Sequence, residues 1–300
     1  MKTNKLLIGM LAATGLAFVV SCGGDSDSSL PPIGGYDKAD DVAATALRAY
    51  WPLNGNGKES ISGTNPSSTV AATFVAGVKG QGVSFNLGYM AYPAIEALNS
   101  TSGSATISCW AILNNTRPAP DQPSNISPIF SLTRTGEVWG NLNLFGETHG
   151  LVSSDSIQVK GIYRIKQADG TETGGDAVNM IKQEPWMDAT HTWNANKIGG
   201  QWAHIVYVFD GPTGTNRIYV NGVKISNSAW EVRNNGAALN LNHFLPTRPV
   251  IGALETVVNG SNTDAWNKAL KGSVDEVRVY DKALTQAEIG ALYELEKAGR

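Results

Sequence analysis

The stretch that decides the fold is residues 201 to 225, Gln-Trp-Ala-His-Ile-Val-Tyr-Val-Phe-Asp-Gly-Pro-Thr-Gly-Thr-Asn-Arg-Ile-Tyr-Val-Asn-Gly-Val-Lys-Ile. From Trp202 to Phe209 almost every residue is apolar, β-branched or aromatic, which suits a strand covered on both faces. On that strand Trp202 and Val206 share a face. Asp210, Gly211, Pro212 and Gly214 then supply a polar turn. Ile218 and Val220 alternate with Arg217, Tyr219 and Asn221 in a second strand with one wetter face. Asn221-Gly222 follows at once, and a two-residue Asn-Gly turn reverses the chain because both positions tolerate positive φ. Three antiparallel strands are thus specified within about 25 residues.

The same pattern extends outward in both directions. Residues 105 to 113 read as a long strand with Ile107, Cys109, Ala111 and Leu113 on one face. Shorter strands are expected at 48–53, around Phe74, and at 83–85, 89–92, 126–132, 142–145, 157–165, 249–253 and 270–280, separated by Gly, Pro and Asn turns. Residues 37–47 read as a short helix leading into the first strand. At the end of the chain Thr285 fits a helix N-cap with Glu288 three residues later, and Leu284 and Ile289 occupy staple positions. Ile289, Leu292 and Leu295 would pack that helix back on the sheet. The pattern is that of an all-β sandwich of antiparallel strands with a short C-terminal helix.

Composition narrows the function classes. A chain of 300 residues with 42% hydrophobic and 16% charged residues is a folded protein, and a net charge of −3 without a basic block gives nucleic acid no electrostatic footprint. Residues 1–21 carry Lys2 and Lys5 ahead of an apolar run from Leu6 to Val20, too short to span a membrane as a mature helix. Val19-Val20-Ser21-Cys22 resembles the cleavage box of bacterial lipoproteins, which implies a removed signal peptide (1–21) and an acylated Cys22. Residues 22–35 form a Gly, Ser and Asp tether, and 36–300 the folded domain. The lipid would be the sole membrane contact, placing the protein at a Gram-negative outer membrane or cell surface. The acidic start of the tether resembles the export tag of surface-displayed lipoproteins. Cys109 is then without a disulfide partner in the domain and reads as a small buried hydrophobe.

Trp202-Ala-His-Ile-Val, Asp210-Gly and Ile218-Tyr-Val-Asn-Gly together resemble the signature of laminin-G-like, concanavalin A-type jelly rolls. Other pieces stand in the family's order: Tyr50-Trp-Pro-Leu-Asn-Gly, Gly77-Val-Lys-Gly-Gln-Gly-Val-Ser-Phe, Thr106-Ile-Ser-Cys-Trp-Ala and the closing Lys271-Gly-Ser-Val-Asp-Glu-Val-Arg-Val-Tyr-Asp. The resemblance covers about residues 46 to 297 and implies a jelly-roll sandwich that captures glycans or protein partners. It also implies a calcium ion at a rim, for which the matching positions carry Glu59 and Asp275. The family usually places Asp or Asn where this chain has Glu59, and two solvated surface acids are the alternative.

Catalysis is not expected. Glycanases of this fold carry Glu-x-Asp-x-x-Glu, which does not occur here, and the nearest acidic cluster, Asp275-Glu276, would point to opposite faces of a strand. A Gly-x-Ser-x-Gly elbow is absent as well, and His204, inside the central strand, reads as a hydrogen-bonded core residue. Residues 166–200 break the strand rhythm and read as a long insertion carrying Trp186, Asp188, His191 and Trp193. Flat rings beside amides and carboxylates suit the C–H face of a sugar, so these four are the candidate glycan site. Large aromatics are more often buried, and inward packing as a satellite core under the loop is the competing expectation. An envelope protein anchored on the same aromatic loop is the alternative partner.

Overall fold

The computed structural model describes residues 30–99, 103–114, 119–152 and 154–300; the leader, Cys22 and the tether up to residue 29 lie outside them. The strands run β1 (Leu47–Trp51), β2 (Ser68–Ala76), β3 (Gln81–Ala91), β4 (Ala105–Leu113), β5 (Ser127–Thr133), β6 (Leu142–Glu147), β7 (Gln158–Lys166) and β8 (Glu172–Val178). They continue with β9 (Ala203–Asp210), β10 (Thr215–Val220), β11 (Val223–Lys224), β12 (Arg248–Ile251) and β13 (Leu270–Tyr280), joined by the helices α1 (Glu255–Val258) and α2 (Gln286–Lys297).

The hairpins of the central stretch form as its residues dictate. Tyr207 of β9 faces Ile218 of β10, and Asn221 (φ 49°) and Gly222 (φ 77°) turn the chain into β11. Strand β9 begins after Trp202, which stays half-buried with its ring close to Gly82, so it does not share a strand face with Val206 as expected.

All thirteen strands of the described residues join one antiparallel sheet in the order β11-β10-β9-β4-β13-β3-β12-β5-β6-β7-β8, with β1 on β13 and β2 on β3. Strand β13 is the hub. One side pairs with β4, and the other pairs with β3 through Leu270–Val274 and with β1 through Val277–Tyr280. The sheet curls until its two halves face each other. Ile205, Tyr207 and Phe209 of β9 then meet Val159, Tyr163 and Ile165 of β7 in one core, with the Tyr163 and Phe209 rings 4.7 Å apart. Gly161 is what lets β7 come so close, because a Cβ there would stand 2.1 Å from the Tyr207 ring.

The back of β9 is covered too, as its two-sided apolarity demands. Val206 and Val208 pack against Ile289, Leu292 and Leu295 of α2. Each such side chain contributes about 1.5–3 kcal/mol on burial. The capping box is present: Thr285 Oγ1 accepts from the Glu288 amide at 3.2 Å, and the Thr285 amide donates to Glu288 Oε2 at 2.8 Å.

Elsewhere the structure departs from the expected elements. The two short strands at 83–85 and 89–92 are one strand, β3, because Leu87 (φ 56°) and a register slip opposite β13 carry the chain through Asn86-Leu87-Gly88. Residues 37–47 form two 3-10 turns, Ala39–Asp41 and Ala44–Ala46, in place of a helix. Strand β8 lies within the segment read as an aperiodic insertion. Its two glycines, Gly174 and Gly175, hide the alternation, and Gly175 is required where a Cβ would meet the Tyr163 hydroxyl at 2.9 Å.

Candidate functional site

Beyond β8 the chain runs across the outer side of the sheet and is stitched to the segment after β11. Asn227 is the main fastener: its amide donates to the Val178 carbonyl at 2.6 Å, and its Oδ1 accepts from the Thr192 amide at 3.0 Å. Ser228 adds its own two bonds, from its amide to Thr192 Oγ1 (3.0 Å) and from its hydroxyl to the Thr190 carbonyl (2.6 Å). This lacing places Trp230 beside the loop that carries Trp186. The two indoles stack with centroids 6.1 Å apart and planes 21° apart, and His191 stands edge-on to both at 5.2 and 5.9 Å.

Asp188 sets the His191 ring. Its Oδ1 accepts from the Thr190 amide (2.8 Å), the Thr190 hydroxyl (2.6 Å) and His191 Nδ1 (2.9 Å). Those donors, the Thr190 hydroxyl first, hold the Asp188 carboxyl at about 2, below the usual carboxylate range. Its role here is to fix a loop.

Trp186 and Trp193 are displayed, at 56% and 52% exposure, which overturns the expected satellite core under the loop. The structure brings Trp186, Asp188 and His191 together but leaves Trp193 apart, where its backbone forms a parallel bridge with Met180. Trp230, which the sequence reading missed, completes the wall. It is 44 positions from Trp186, and the available signal was the Asn-Ser-Ala-Trp run after a hairpin, with Asn227 capping the 3-10 turn.

The wall borders a cavity of about 330 Å³ lined by Trp186, Trp230, Gln158, Lys160, Asp176 and His149. Its floor is the outer face of β7 and β8. Alternation puts Gln158, Lys160, Ile162 and Arg164 outward while Val159, Tyr163 and Ile165 face the core. Three carboxylates near this face have a cation as neighbour: Glu184 has Lys182 at 3.1 Å, Asp176 has Arg233 at 3.3 Å, and Glu147 has Lys160.

The two calcium candidates occupy separate loop anchors. Glu59 is fully buried and its oxygens accept from the amides of Tyr50 (2.7 Å), Ile61 (3.0 Å) and Ser62 (2.6 Å) and from the Ser62 hydroxyl (2.5 Å). Two donors on each oxygen fill the acceptor positions of a carboxylate. Asp275, also fully buried, accepts from the amides of Val78 (2.7 Å), Lys79 (3.1 Å) and Glu276 (2.9 Å), and burial raises its carboxyl to about 6. Both therefore work as caps on backbone amides, and a cation would have to displace those donors. Among the described residues no group of three or more His, Cys, Asp or Glu is arranged to hold a metal ion.

Asp275 and Glu276 do not point to opposite faces as strict alternation requires. Glu276 has φ 49° and the register against β4 slips there, so the bulge keeps both carboxylates beside Lys79 and away from the core. Glu276 joins a buried network: Arg278, with no exposed surface, bonds Glu276 (2.8 Å), Glu296 of α2 (2.8 Å) and Asp40 (2.9 Å), and lies 3.8 Å over the Tyr50 ring. His204 is the core residue it was read to be, with Nε2 2.8 Å from the Ser108 hydroxyl, and burial lowers its imidazole to about 3. Cys109 is buried and free.

A curled antiparallel sheet with an aromatic, polar-rimmed outer face is lectin-like in form, and comparison with known proteins agrees. A family model described as the concanavalin A-like lectin/glucanases superfamily matches residues 86–290, well over half of the chain. The chain belongs to the concanavalin A-like lectin/glucanase superfamily. Among solved members of this fold it resembles domain 4 of AbnA, an extracellular arabinanase from Geobacillus stearothermophilus, solved in complex with arabinotriose. That match has 15% identity and a TM-score of 0.50, covering 82% of this chain and 98% of the other. The binding domain of Paraclostridial mosquitocidal protein 1 aligns at 15% identity and a TM-score of 0.51, over 83% of this chain and 52% of its own. The binding domain of botulinum neurotoxin serotype G aligns at 12% identity and a TM-score of 0.51, over 83% of this chain and 51% of its own. At these identities the likeness is one of fold. A search of the curated proteins returned no match. Among the described residues no helix is long and apolar enough to cross a membrane.

Proposed function

We propose that the protein is a lipid-anchored, lectin-like binding module that holds a glycan against the Trp186–Trp230 wall and does no chemistry on it. The observation that carries the reading is the displayed Trp186 indole, 56% exposed, stacked on the half-buried Trp230 and braced by His191, over a cavity of about 330 Å³. An exposed tryptophan held rigid by its neighbours offers a flat apolar plate at little entropic cost, and Gln158, Lys160 and Asp176 supply hydrogen bonds around it. The pairing of the nearby carboxylates with cations supports binding without hydrolysis, because glycosidases set two carboxyl groups facing each other across the bond they break. That an arabinanase domain of this fold was solved with arabinotriose makes linear oligosaccharides the first ligands to try.

The test is affinity electrophoresis of the protein through gels containing arabinan, xylan, mannan or β-glucan, run with calcium and again with chelator. Retardation by at least one polysaccharide is expected, lost in Trp186→Ala while the melting temperature stays within about 2 °C, since exposed substitutions usually cost under about 0.5 kcal/mol. No retardation in any gel, with capture of purified envelope proteins instead, would refute the glycan reading. Release of reducing ends from any of the four would refute the non-catalytic one.

A further inference from the structure

The outer face of the sheet carries a second aromatic plate that neither the family resemblance nor the Trp186 wall requires. Trp139, from the β5–β6 connection, stacks on Trp266, from the segment before β13, with centroids 5.5 Å apart and planes at 17°. Phe145 of β6 also stacks on Trp139, at 5.8 Å. These rings are part of a small apolar cluster with Ile126, Ile162 and Leu254, but both tryptophans remain only partly buried. They also border two open cavities. One, of about 340 Å³, runs from Trp139 to Arg164 and Asp176; the other, of about 250 Å³, runs from Trp139 and Trp266 to Glu147.

Lys160 lines both of these cavities and the one below the Trp186–Trp230 wall, while Asp176 lines two of the three. The register explains why. Lys160 lies on the outer face of β7, the third residue of that strand, opposite Phe145 of β6 and Val178 of β8, so it has one plate on its β6 side and the other on its β8 side. From β6 to β8 is two interstrand spacings, on the order of 10 Å, before the rings themselves are added. That is more than one sugar ring spans.

We infer that the two plates are the ends of one groove, and that the ligand is a linear, unbranched oligosaccharide lying across β6, β7 and β8, stacked on Trp186–Trp230 at one end and Trp139–Trp266 at the other. This rests on the glycan reading above and adds to it the ligand's length and its second contact. Lys160, tied to Glu147 at the centre, sits where a chain crossing the sheet presents its hydroxyls, and the pair offers both a donor and acceptors. The groove is mixed in charge, with Lys160 and Arg164 set against Glu147 and Asp176, so a neutral chain fits it better than a polyanion.

The experiment is titration calorimetry of the protein with arabino-, xylo-, manno- and cello-oligosaccharides from dimer to hexamer. The wild type should bind one series with affinity that climbs by about tenfold or more from dimer to hexamer, and Trp266→Ala should flatten that climb while leaving the dimer's affinity unchanged. Trp266→Phe keeps the cluster packed with a smaller face and should show an intermediate climb, which guards against a folding defect in the alanine variant. Equal affinity for dimer and hexamer, or a full climb in both Trp266 variants, would overturn the two-plate groove and leave the Trp186 site standing. Binding to no member of any series would overturn the glycan reading and this inference together.

Discussion

Replacing Arg278 with methionine should be strongly destabilising. The guanidinium is wholly buried and is the shared cation of Glu276 and Glu296, both without exposed surface, and of the half-exposed Asp40. Methionine fills much the same volume, so the loss is charge and not packing. Breaking a buried pair by removing one partner costs about 3 to 5 kcal/mol, because the remaining charge is left uncompensated in a poorly polarisable site. Here Glu296 loses its ion-pair partner while Glu276 keeps Lys79 Nζ at 3.7 Å, so the expectation is about 3 to 5 kcal/mol, against a total of about 5 to 15 kcal/mol for a typical domain. The loss should also depend on pH. Burial already pushes the Glu296 carboxyl up to about 7 despite the pull of Arg278. A carboxyl raised in the folded state gives stability that is complete below its unfolded value and is lost as pH rises through its folded value. Without Arg278 that folded value climbs further, so the variant should be closest to the wild type near pH 5 and furthest from it above pH 7. Urea unfolding followed by tryptophan fluorescence at several pH values measures this directly. A variant within about 1 kcal/mol of the wild type at pH 7.5, or a deficit independent of pH, would show that the buried carboxylates do not depend on Arg278.

Two further outcomes are expected. His243 is buried, and desolvation lowers its imidazole to about 4, so the stability it contributes is present above its unfolded value of about 6.5 and is lost as pH falls toward 4. His243→Phe should therefore gain on the wild type by about 2 to 3 kcal/mol between pH 7.5 and 4.5, and an unchanged difference across that range in parallel melts would contradict the assignment. Cys22→Ser should move the protein from the membrane fraction to the soluble fraction, since stable anchorage needs more than one acyl chain, and full membrane retention on ultracentrifugation would argue against acylation.

The sequence made the sheet legible because its signals are local. The apolar run of β9, the Asn221-Gly222 turn, the alternation of β4 and the Thr285–Glu288 box each act within a few residues, and each appears in place. What it hid depends on distant partners. Strand β8 escaped because Gly174 and Gly175 exist to clear Arg164 and Tyr163 of the neighbouring strand. The Arg278 network escaped because a bulge at Glu276 breaks the two-residue period on which the face assignment rested. Half of the aromatic wall was readable as Trp186 and His191, but Trp230 joins it only through the lacing by Asn227 and Ser228. Trp193 looked equivalent to Trp186 by composition, and nothing local distinguishes a ring that meets a partner from one that does not.

The covering of β9 by α2 also determines which way the molecule faces. Helix α2 lies on the back of the β4–β9–β13 half together with Ile33, Tyr36, Ala39 and Val42, while the tryptophan plates lie outside β6–β8, on the far side of the central core. The last residue is clasped there as well, with the Ala39 amide donating to the Arg300 carbonyl at 3.3 Å and Arg300 Nε donating to the Asp37 carbonyl at 3.0 Å. Entry and exit of the folded chain therefore share one pole. A ligand on the aromatic face is thus separated by the whole core from the pole where Asp37 and Arg300 meet, and it leaves that pole clear.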